Sequence, residues 1–334
     1  MAADPTATFL EHDQEFHERE LASFLPDKFW DMHTHLWAKE AYNAPLPPGF
    51  PADATCEDYI TLMQPIFPGR QLGGWFLPKP TVHAPEQTLT VSEWTADSVR
   101  GKPNCKGAFL IKPQDDPEWV RENVKRLGLS GLKCYHVHAI KKPTLNAEIP
   151  EYLPEEIMRV ANEEGWYVTL HMVKDRALAD PGNQHWIRHY CESFPDMKLI
   201  LAHSSRGFQP AHNWEGLPKI ADLPNVYFDS SANCSPVAHE AILKICGHEH
   251  FMVGTDFGAA SHTHGHHAPV GDSFYFIYEK SPVWDTLTNP DDKPVLIVLE
   301  HLRSIKWAAW SQGLSDTQIE DIFWNNAARL MGAA

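Results

Sequence analysis

The sequence predicts an α/β fold, a (β/α)8 TIM barrel, from three observations. Short apolar or β-branched runs recur eight times along the chain. Each is followed by a polar or amphipathic stretch long enough for a helix, a pattern that predicts a parallel sheet. The unit repeats at roughly 30 residues, as a barrel of ~250 residues requires, and a chain of 334 residues is long enough to contain one.

Eight strands are predicted, and from the fifth onward the helices between them are also readable. The strands are FWDMHTHLW, GGWFL, KGAFLIK, GLKCYHV, WYVTLHMV, KLILAHSS, NVYFDSS and HFMVGTDFG. The helical stretches HWIRHYCESF and VAHEAILKIC precede the sixth and eighth strands. From Pro294 to Met331 we expect two terminal helices, the second opened by a capping box of Ser315 and Gln318.

A proline-rich stretch follows the first strand, in PLPPGFP and FLPKPTVHAP, and has no sustained helical period. We therefore predict one domain over residues 1–334 with an insertion at about 41–90. The insertion either covers the barrel mouth or is a solvated segment that makes a subunit contact. The loop after the eighth strand carries His262, His264, His266 and His267, which either bind adventitious metal or line the mouth; we favour the mouth.

The charge balance excludes two classes of partner. The chain has 28 basic and 44 acidic residues, so its formal net charge of -16 repels a phosphate backbone and an anionic membrane surface. We expect no nucleic-acid partner and no membrane partner. The expected partner is a small-molecule substrate, and we expect a homo-oligomer, a dimer.

The start of the chain and its cysteines predict a cytoplasmic location. The first residues are acidic and lack the basic and apolar regions of a secretory signal. Six cysteines are scattered without a C-x-x-C pair, which argues against a disulfide scaffold and against a structural zinc knuckle. We interpret all six as reduced thiols.

The chain has 20 histidines, and two of them lie on the first predicted strand with one residue between them. Because alternate side chains of a strand share one face, we expect Asp31, His33 and His35 to point the same way. Asp31 is then either a hydrogen-bond partner of a ligand histidine or a polar residue at the strand edge. A lone H-x-H is weak evidence for a site, because short motifs have high false-positive rates.

Three further residues strengthen the motif. His171, His203 and Asp256 each follow an apolar run, at the ends of the fifth, sixth and eighth predicted strands. The parallel strands of a barrel all end at one mouth, where catalytic groups gather. Imidazole and carboxylate are suitable ligands for a divalent ion such as zinc or manganese. We predict one such ion per chain and no organic cofactor.

The sequence resembles the amidohydrolase superfamily. The resemblance rests on D-M-H-T-H on the first strand, the single histidines of the fifth and sixth strands, T-D-F-G on the eighth and N-N-A-A-R-L-M-G at the end, and it runs from about Phe29 to Gly332. It is greatest to the amidohydrolase-related, or type 2, branch, with its lactone hydrolases and the aminocarboxymuconate semialdehyde decarboxylase group.

The resemblance implies roles for these residues. His33, His35, His171 and Asp256 would bind the metal ion. His203 would be the acid/base or water-orienting histidine, and Asp256 would also carry a proton. The first strand of this chain carries H-x-H, whereas aromatic acid decarboxylases of this branch tend to carry E-x-H there, which lowers the odds of decarboxylation.

Positively charged residues near two strand ends predict an anionic substrate. Lys133 on the fourth strand has three interpretations: it binds a substrate carboxylate, it is carboxylated and bridges two metals, or it points outward while Cys134 and His136 point inward. We rank carboxylate binding first and place Tyr135 and His136 beside it as substrate contacts. Arg206 either grips a second carboxylate position bidentately or makes a surface ion pair of small worth.

The sequence thus predicts a metal-dependent hydrolase of a small polar or anionic substrate, with a lactone as the favoured class. An ion held by neutral imidazoles lowers the pKa of a bound water toward ~7, which suits hydrolysis. Non-oxidative decarboxylation of a small unsaturated or aromatic acid is the first alternative. A non-catalytic small-molecule binding barrel is the second, since fold alone does not fix function.

Overall fold

The computed structural model describes residues 2–42, 45–79, 85–279, 281–287, 289 and 291–332. An eight-stranded parallel sheet dominates it, and each strand pairs with the next along the chain. All eight predicted strands are present. They are β1 Lys28–Leu36, β2 Gln71–Pro78, β3 Cys105–Leu110, β4 Gly131–Cys134, β5 Tyr167–Leu170, β6 Lys198–Leu201, β7 Val226–Asp229 and β8 Phe251–Met252.

The sheet closes between β1 and the chain that leaves β8. The amide of Met32 donates to the carbonyl of Val253 at 2.9 Å, and the amide of Asp256 donates to the carbonyl of His33 at 2.8 Å. A third bond runs from His35 to Phe257 at 3.1 Å. These bonds complete the ring, so the prediction of a (β/α)8 barrel is confirmed.

Helices occupy the connections between the strands. In chain order they are α1 Glu11–Glu20, α2 Cys56–Met63, α3 Thr88–Val99, α4 Pro117–Leu127, α5 Glu155–Glu163, α6 Pro181–Ser193, α7 Ala202–Arg206, α8 Ala211–Gly216, α9 Pro236–Cys246, α10 Trp284–Leu287, α11 Ile297–Ser311, α12 Asp316–Glu320 and α13 Asn326–Met331. No helix in the described ranges combines the length and the apolar character that a membrane crossing needs.

The proline-rich interval 41–90 is more regular than its composition indicates. It contains α2 and β2, so the expectation of a stretch without helix was wrong. The short helix is opened by a capping box of Thr55 and Asp58, a local signal that the flanking prolines obscure. Residues 43, 44 and 80–84 of this interval lie outside the described residues.

The proline-rich interval packs beside the carboxyl end of the barrel. The ring of Phe50 stacks on Trp37 and on Phe257, and it meets His262 edge-on at 5.0 Å. Phe257 directly follows Asp256. This packing favours a cover at the mouth over a subunit contact, while the single domain over residues 1–334 stays a prediction.

The interior toward the amino ends of the strands is an apolar floor. It consists of Trp30, Met32, Trp75, Leu77, Ala108, Ile200 and Met252. The second predicted terminal helix closes the barrel below it, because Trp324 packs edge-on against Trp30 at 5.5 Å. This helix begins with the predicted capping box of Ser315 and Gln318. Between α12 and α13 it widens into a π turn, Asp321–Asn325.

Strand β1 contains a bulge that the sequence does not predict. Asp31 pairs with Gly74 and Thr34 with Phe76, so two residues of β1 stand opposite one residue of β2. The extra residue breaks the alternation of side chains. Asp31 therefore faces α2, where the hydroxyl of Tyr59 donates to it at 3.2 Å. The prediction that Asp31 shares a face with His33 and His35 was wrong.

A β-hairpin follows β8 where the sequence has its histidine-rich loop. Its strands are β9 Gly265–Val270 and β10 Ser273–Tyr278, and they pair antiparallel. Phe274 of the hairpin stacks on Phe208 at 4.4 Å, and Phe208 in turn stacks on His203 at 5.5 Å. The hairpin therefore covers the mouth on the β6 side.

Candidate metal centre and active site

Three nitrogen and oxygen atoms converge at the carboxyl end of the barrel. The Nε2 atoms of His33 and His35 lie 3.7 and 3.2 Å from Oδ1 of Asp256. These residues, which we call the ligand group, are buried and keep their ligand atoms within 4.8 Å of one another. The sequence predicted that they would meet, and the structure brings them together.

The other ring nitrogen of each histidine, Nδ1, has its own hydrogen-bond partner. Nδ1 of His33 lies 2.9 Å from Oδ2 of Asp229, and Nδ1 of His35 lies 3.3 Å from the carbonyl of Leu77. These acceptors place the proton on Nδ1, so each Nε2 has a free lone pair directed at Asp256. Burial lowers the pKa of both rings, so they are neutral at pH 7. This donor set fits a divalent ion.

Asp229, at the end of β7, is a site residue that the sequence reasoning missed. One carboxylate oxygen holds the ring of His33, and the other accepts from the amides of His203 and Ser231 at 3.1 Å each. Burial alone would raise the pKa of Asp229, but the electrostatic attraction and hydrogen bond of the His33 ring bring it below its ordinary value. Its signal was its place at the end of the seventh predicted strand, NVYFDSS, where other site residues were sought.

His203 lies in α7, which is a left-handed turn and not a right-handed α-helix. His203, Ser204, Ser205 and Arg206 all have positive φ, between 52° and 60°. Side chains make this conformation costly, by roughly 1–2 kcal/mol per residue, so the turn needs support. Asn213 supplies part of it, since its amide donates to the carbonyl of Ser204 at 3.0 Å. The turn directs His203 back toward the ligand group, and its ring centre lies 4.9 Å from that of His33.

A chain of hydrogen bonds links His203 to His171. Nδ1 of His203 lies 3.0 Å from the carbonyl of Ser231, and Nε2 lies 3.1 Å from Nδ1 of His171. The carbonyl can only accept, so the proton of His203 is on Nδ1. Nε2 of His203 then accepts from Nδ1 of His171, which leaves the lone pair of His171 on Nε2. His171 therefore contacts His203 and lies outside the ligand group.

Burial keeps His203 neutral at physiological pH. Together with the electrostatic effect of the nearby His33 ring, it lowers the pKa of His203 to about 4. A neutral imidazole with its Nδ1 proton on the carbonyl of Ser231 has its lone pair on Nε2, where it accepts from His171 in this arrangement. Catalytic roles for His203 and Asp256, and a ligand role for His171, stay predictions.

Lys133 lies on the inner face of β4 and is fully buried. Its Nζ has no hydrogen-bond partner within the described part of the chain and sits 4.7 Å from the centre of the Tyr135 ring. Burial lowers its pKa to about 8, whereas the charges of Asp229 and Asp256 raise it. The outward orientation is wrong, because Cys134 belongs to the outer core instead. An unpartnered buried ammonium is suited to an anionic ligand.

Tyr135 and His136 lie on the same side of the mouth. The hydroxyl of Tyr135 donates to the carbonyl of Pro78 at 3.1 Å and is 3.4 Å from Nδ1 of His35. The ring of His136 stacks on His171 with centres 5.7 Å apart. Burial and the charge of Arg206 lower the pKa of His136 to about 4. Both residues adjoin the site, and their contact with substrate stays a prediction.

Arg206 ends the left-handed turn and points over the mouth. Its guanidinium lies 5.6 Å from the centre of the Phe274 ring. Its charge lowers the pKa of His136 and of His171, which places it on their side of the site. The guanidinium has no hydrogen-bonded or ion-paired partner among the described residues, so the surface ion pair considered above is absent there.

Lys79 is a second charged residue that the sequence reasoning missed. It follows β2, in the sequence FLPKP, and only 4% of it is exposed. Its Nζ donates to the carbonyl of Gly258 and to the hydroxyl of Tyr42, and it lies over the rings of Tyr42 and Trp37. Burial lowers its pKa to about 8. It joins β2 to the loop that carries Asp256.

The four histidines after β8 do not act as one cluster. His262 is buried against Phe50, His264 pairs with Asp13 at 2.8 Å, and His266 pairs with Asp292 at 2.6 Å. His267 lies near the mouth residue Phe208, with ring centres 5.4 Å apart, and His262 meets Phe257, which follows Asp256, edge-on at 5.5 Å. The prediction that the tract lines the mouth therefore holds for two of its members.

These features define a barrel with a buried His/Asp centre at the carboxyl ends of its strands, the arrangement of a metal-dependent barrel enzyme. The sequence matches the model of the amidohydrolase family over residues 30–333. The chain therefore belongs to the amidohydrolase family, and the resemblance read from the sequence is confirmed. No curated protein is a match for this sequence.

Three solved structures share the fold. A putative 2-pyrone-4,6-dicarboxylic acid hydrolase from Pseudomonas putida is 16% identical with a TM-score of 0.54, over 92% of this chain and 98% of that one. A 5-carboxyvanillate decarboxylase from Sphingomonas paucimobilis is 13% identical with a TM-score of 0.53, over 92% and 100%. A zinc-bound amidohydrolase from Burkholderia multivorans is 15% identical with a TM-score of 0.53, over 92% and 99%. At these identities the likeness is one of fold.

Proposed function

We propose that this protein is a metal-dependent hydrolase that opens a small anionic lactone. The observation that carries the proposal is the ligand group, in which the lone pairs of His33 and His35 face the carboxylate of Asp256. Zinc and manganese both suit these donors, and His171 would complete the set through Nε2. The zinc-bound relative from Burkholderia multivorans supports the choice of zinc.

The residues around the ligand group divide the work of hydrolysis. When bound, the ion supplies Lewis-acid polarisation of the carbonyl and a lowered pKa of water. Neutral His203 accepts a proton from the attacking water through Nε2 when the hydrogen bond from His171 opens, and returns it to the ring oxygen that leaves. The products are a hydroxyl and a carboxylic acid, which loses its proton to solvent. Asp229 holds His33 and the amide of His203 together, which fixes the distance between ligand and base.

Positive charge supports an anionic substrate. Lys133 lies on the inner face of the barrel and Arg206 at its rim, and neither has a hydrogen-bonded partner in the described ranges. A net charge of -16 would otherwise repel such a substrate. The local charge of these two residues overcomes the field of the whole protein at the mouth. The hydrolase relative from Pseudomonas putida has a dicarboxylic acid in its name, which agrees with this direction.

Elemental analysis of protein purified without chelator tests the metal. We expect about one divalent ion per chain and loss of lactone hydrolysis when a chelator removes it. Fully active metal-free protein would contradict the proposal. About two ions per chain would instead assign Lys133, carboxylated, to a bridging position.

A matched pair of substrates tests the anionic contact. Arg206→Ala and Lys133→Ala are each assayed on a lactone acid and on its methyl ester. Removing a hydrogen bond to a charged group costs about 1.5–3 kcal/mol, so we expect kcat/KM to fall by that amount on the acid and less on the ester. Equal losses on both substrates would show that neither residue binds the carboxylate.

Non-oxidative decarboxylation is the second candidate, supported by the likeness to the 5-carboxyvanillate decarboxylase. It needs the same ligand group, and Lys133 or Arg206 would again bind the carboxylate. The lactone screen is therefore run with parallel detection of carbon dioxide from unsaturated and aromatic acids. Carbon dioxide release without lactone opening would replace hydrolysis by decarboxylation. Metal binding without any turnover would favour the non-catalytic barrel.

A further inference from the structure

Two cysteines outside the proposed active site lie in contact with each other. Cys56 is the first residue of α2 and Cys105 the first residue of β3, and their Sγ atoms are 3.4 Å apart although 49 positions separate them in the chain. Cys56 is fully buried, whereas Cys105 keeps 8% of its surface exposed. A thiol that reacts needs access, and a partner thiol in contact with it decides the product.

A cavity with basic walls gives access to Cys105. It has a volume of about 510 Å³, and the charged side chains that line it are Arg100, Lys102, Lys106, Lys125 and Arg126. Arg100, Lys102, Lys125 and Arg126 also pair with a nearby carboxylate each, which offsets part of their charge. Positive charge near a thiol favours the thiolate, which is the reactive form. The hydrogen bond with Cys56 and the charge of Lys102 lower the pKa of Cys105, against the effect of its burial, whereas the same hydrogen bond and burial raise the pKa of Cys56. Cys105 is therefore the sulfur of the pair that ionises first. The cavity is large enough for a small oxidant.

The remaining cysteines differ in this respect. Burial raises the pKa of Cys134, Cys191 and Cys246 to about 12, and that of Cys234 well above its ordinary value. They are therefore held as thiols at neutral pH and serve as internal controls for a reaction that needs a thiolate.

We propose that Cys56 and Cys105 are a redox-sensitive thiol pair, which hydrogen peroxide converts into a disulfide that links α2 to β3. In the first step the Cys105 sulfur attacks one peroxide oxygen, the O–O bond breaks, and a sulfenic acid and one water form. In the second step the Cys56 sulfur attacks the Cys105 sulfur and displaces the second water. Two thiols lose two electrons and two protons, and one peroxide gains them.

The geometry makes the second step short. The sulfur atoms have to approach by roughly 1.4 Å to reach the ~2.05 Å length of a disulfide. The disulfide would restrain α2, which carries Tyr59 one turn beyond Cys56. Tyr59 donates to Asp31 beside the bulge of β1. Under oxidising conditions four cysteines, and not the expected six, would then remain reduced thiols.

Peptide mapping tests the proposal on the wild-type protein. Reduced protein is treated with hydrogen peroxide, quenched with N-ethylmaleimide, digested with trypsin and analysed by mass spectrometry. Cleavage after Arg100 and Lys106 isolates Cys105, and cleavage after Lys39 and Arg70 isolates Cys56. We expect one cross-linked pair of these peptides, lighter by two hydrogens, and recovery of both thiols with dithiothreitol.

Two variants control the test. Cys56→Ser removes the second sulfur, so a sulfenic acid on Cys105 should accumulate and be trapped by dimedone. Cys191→Ser, on α6, should form the cross-link as the wild type does. Six free thiols after peroxide treatment, a cross-link between other cysteines, or over-oxidised Cys105 without a cross-link in the wild type would each overturn the proposal.

Discussion

The two ends of the barrel interior are built from the same strands and have opposite chemistry. Toward the amino ends lies the apolar floor, where Met32, Ile200 and Met252 are fully buried. Toward the carboxyl ends the same three strands carry or lead to His33, His203 and Asp256. The change takes place within one to four residues along each strand. The floor supplies hydrophobic stabilisation, ~1.5–3 kcal/mol for each large side chain. The strained backbone and buried charges at the polar end offset part of this stabilisation.

The cost of the polar end is visible in its backbone and its buried charges. Four consecutive residues with positive φ begin at His203, and Asp256 has φ 59°. Asp229 and Lys133 are charged groups with no exposed surface. Strain and buried charge of this kind persist only where the surrounding structure holds them in place, and they gather at functional sites. The comparison therefore predicts that floor variants change stability while variants of the polar end change function.

Met32→Ala is expected to have the largest effect, on stability. Met32 and His33 are neighbours in sequence, but Met32 packs in the apolar floor. Cutting a buried methionine to alanine removes contacts and leaves a cavity, so the free energy of unfolding should fall by about 2–5 kcal/mol. Denaturant titration measures this fall, and metal content and kcat/KM should stay unchanged.

Met32→Leu is the matched control for that variant. It keeps the volume of the side chain, so the expected loss of stability is below about 1.5 kcal/mol. If Met32→Ala lowered metal content as much as it lowered stability, the floor and the polar end would not be separable. The comparison between the two ends would then fail at Met32 and His33, the neighbouring residues where the two ends meet.

His203→Asn tests the polar end. Loss of a general base typically reduces kcat by ~10²-fold or more, equivalent to about 2.7 kcal/mol, and the ion should remain because His203 is not in the ligand group. Steady-state kinetics and elemental analysis on the same sample measure both quantities. The control is His250→Asn at the amino end, where Nδ1 of His250 bonds the carbonyl of Val226 at 2.7 Å. Loss of the ion in the His203 variant would make His203 a ligand.

The sequence predicts periodic features of this fold well and single-residue irregularities poorly. Eight strands follow from the recurrence of apolar runs, and the convergence of His33, His35 and Asp256 follows because parallel strands end at one mouth. The β1 bulge adds one residue to the pairing of β1 with β2, and no residue type marks it, so the orientation of Asp31 was wrong. The left-handed turn at His203 depends on Asn213 and Asp229, which lie beyond the turn itself and bond to it from nine and 26 positions away.

Asp229 shows why the support of a site is harder to predict than its ligands. An aspartate after an apolar strand is common, and its role depends on which partner the fold brings to it. Here the partner is His33, which lies 196 positions away. Lys79 is a similar case, because its bond to Gly258 spans 179 positions. Local spacing contains no information about such pairs.

Asp229→Asn is the variant of the polar end with the smallest expected effect, on metal affinity. Asparagine keeps the shape of the side chain but removes the charge that fixes the proton of His33 on Nδ1 and strengthens Nε2 as a ligand. Such partners typically contribute 10–100-fold, so we expect metal affinity to fall by that factor and activity to recover at high metal concentration. Competition with a chelator measures the affinity. Asp222→Asn, at an exposed ion pair with Arg188, should leave it unchanged. Complete loss of the ion would identify Asp229 as a ligand itself. Unchanged metal affinity would show that Asp229 does not strengthen His33 as a ligand.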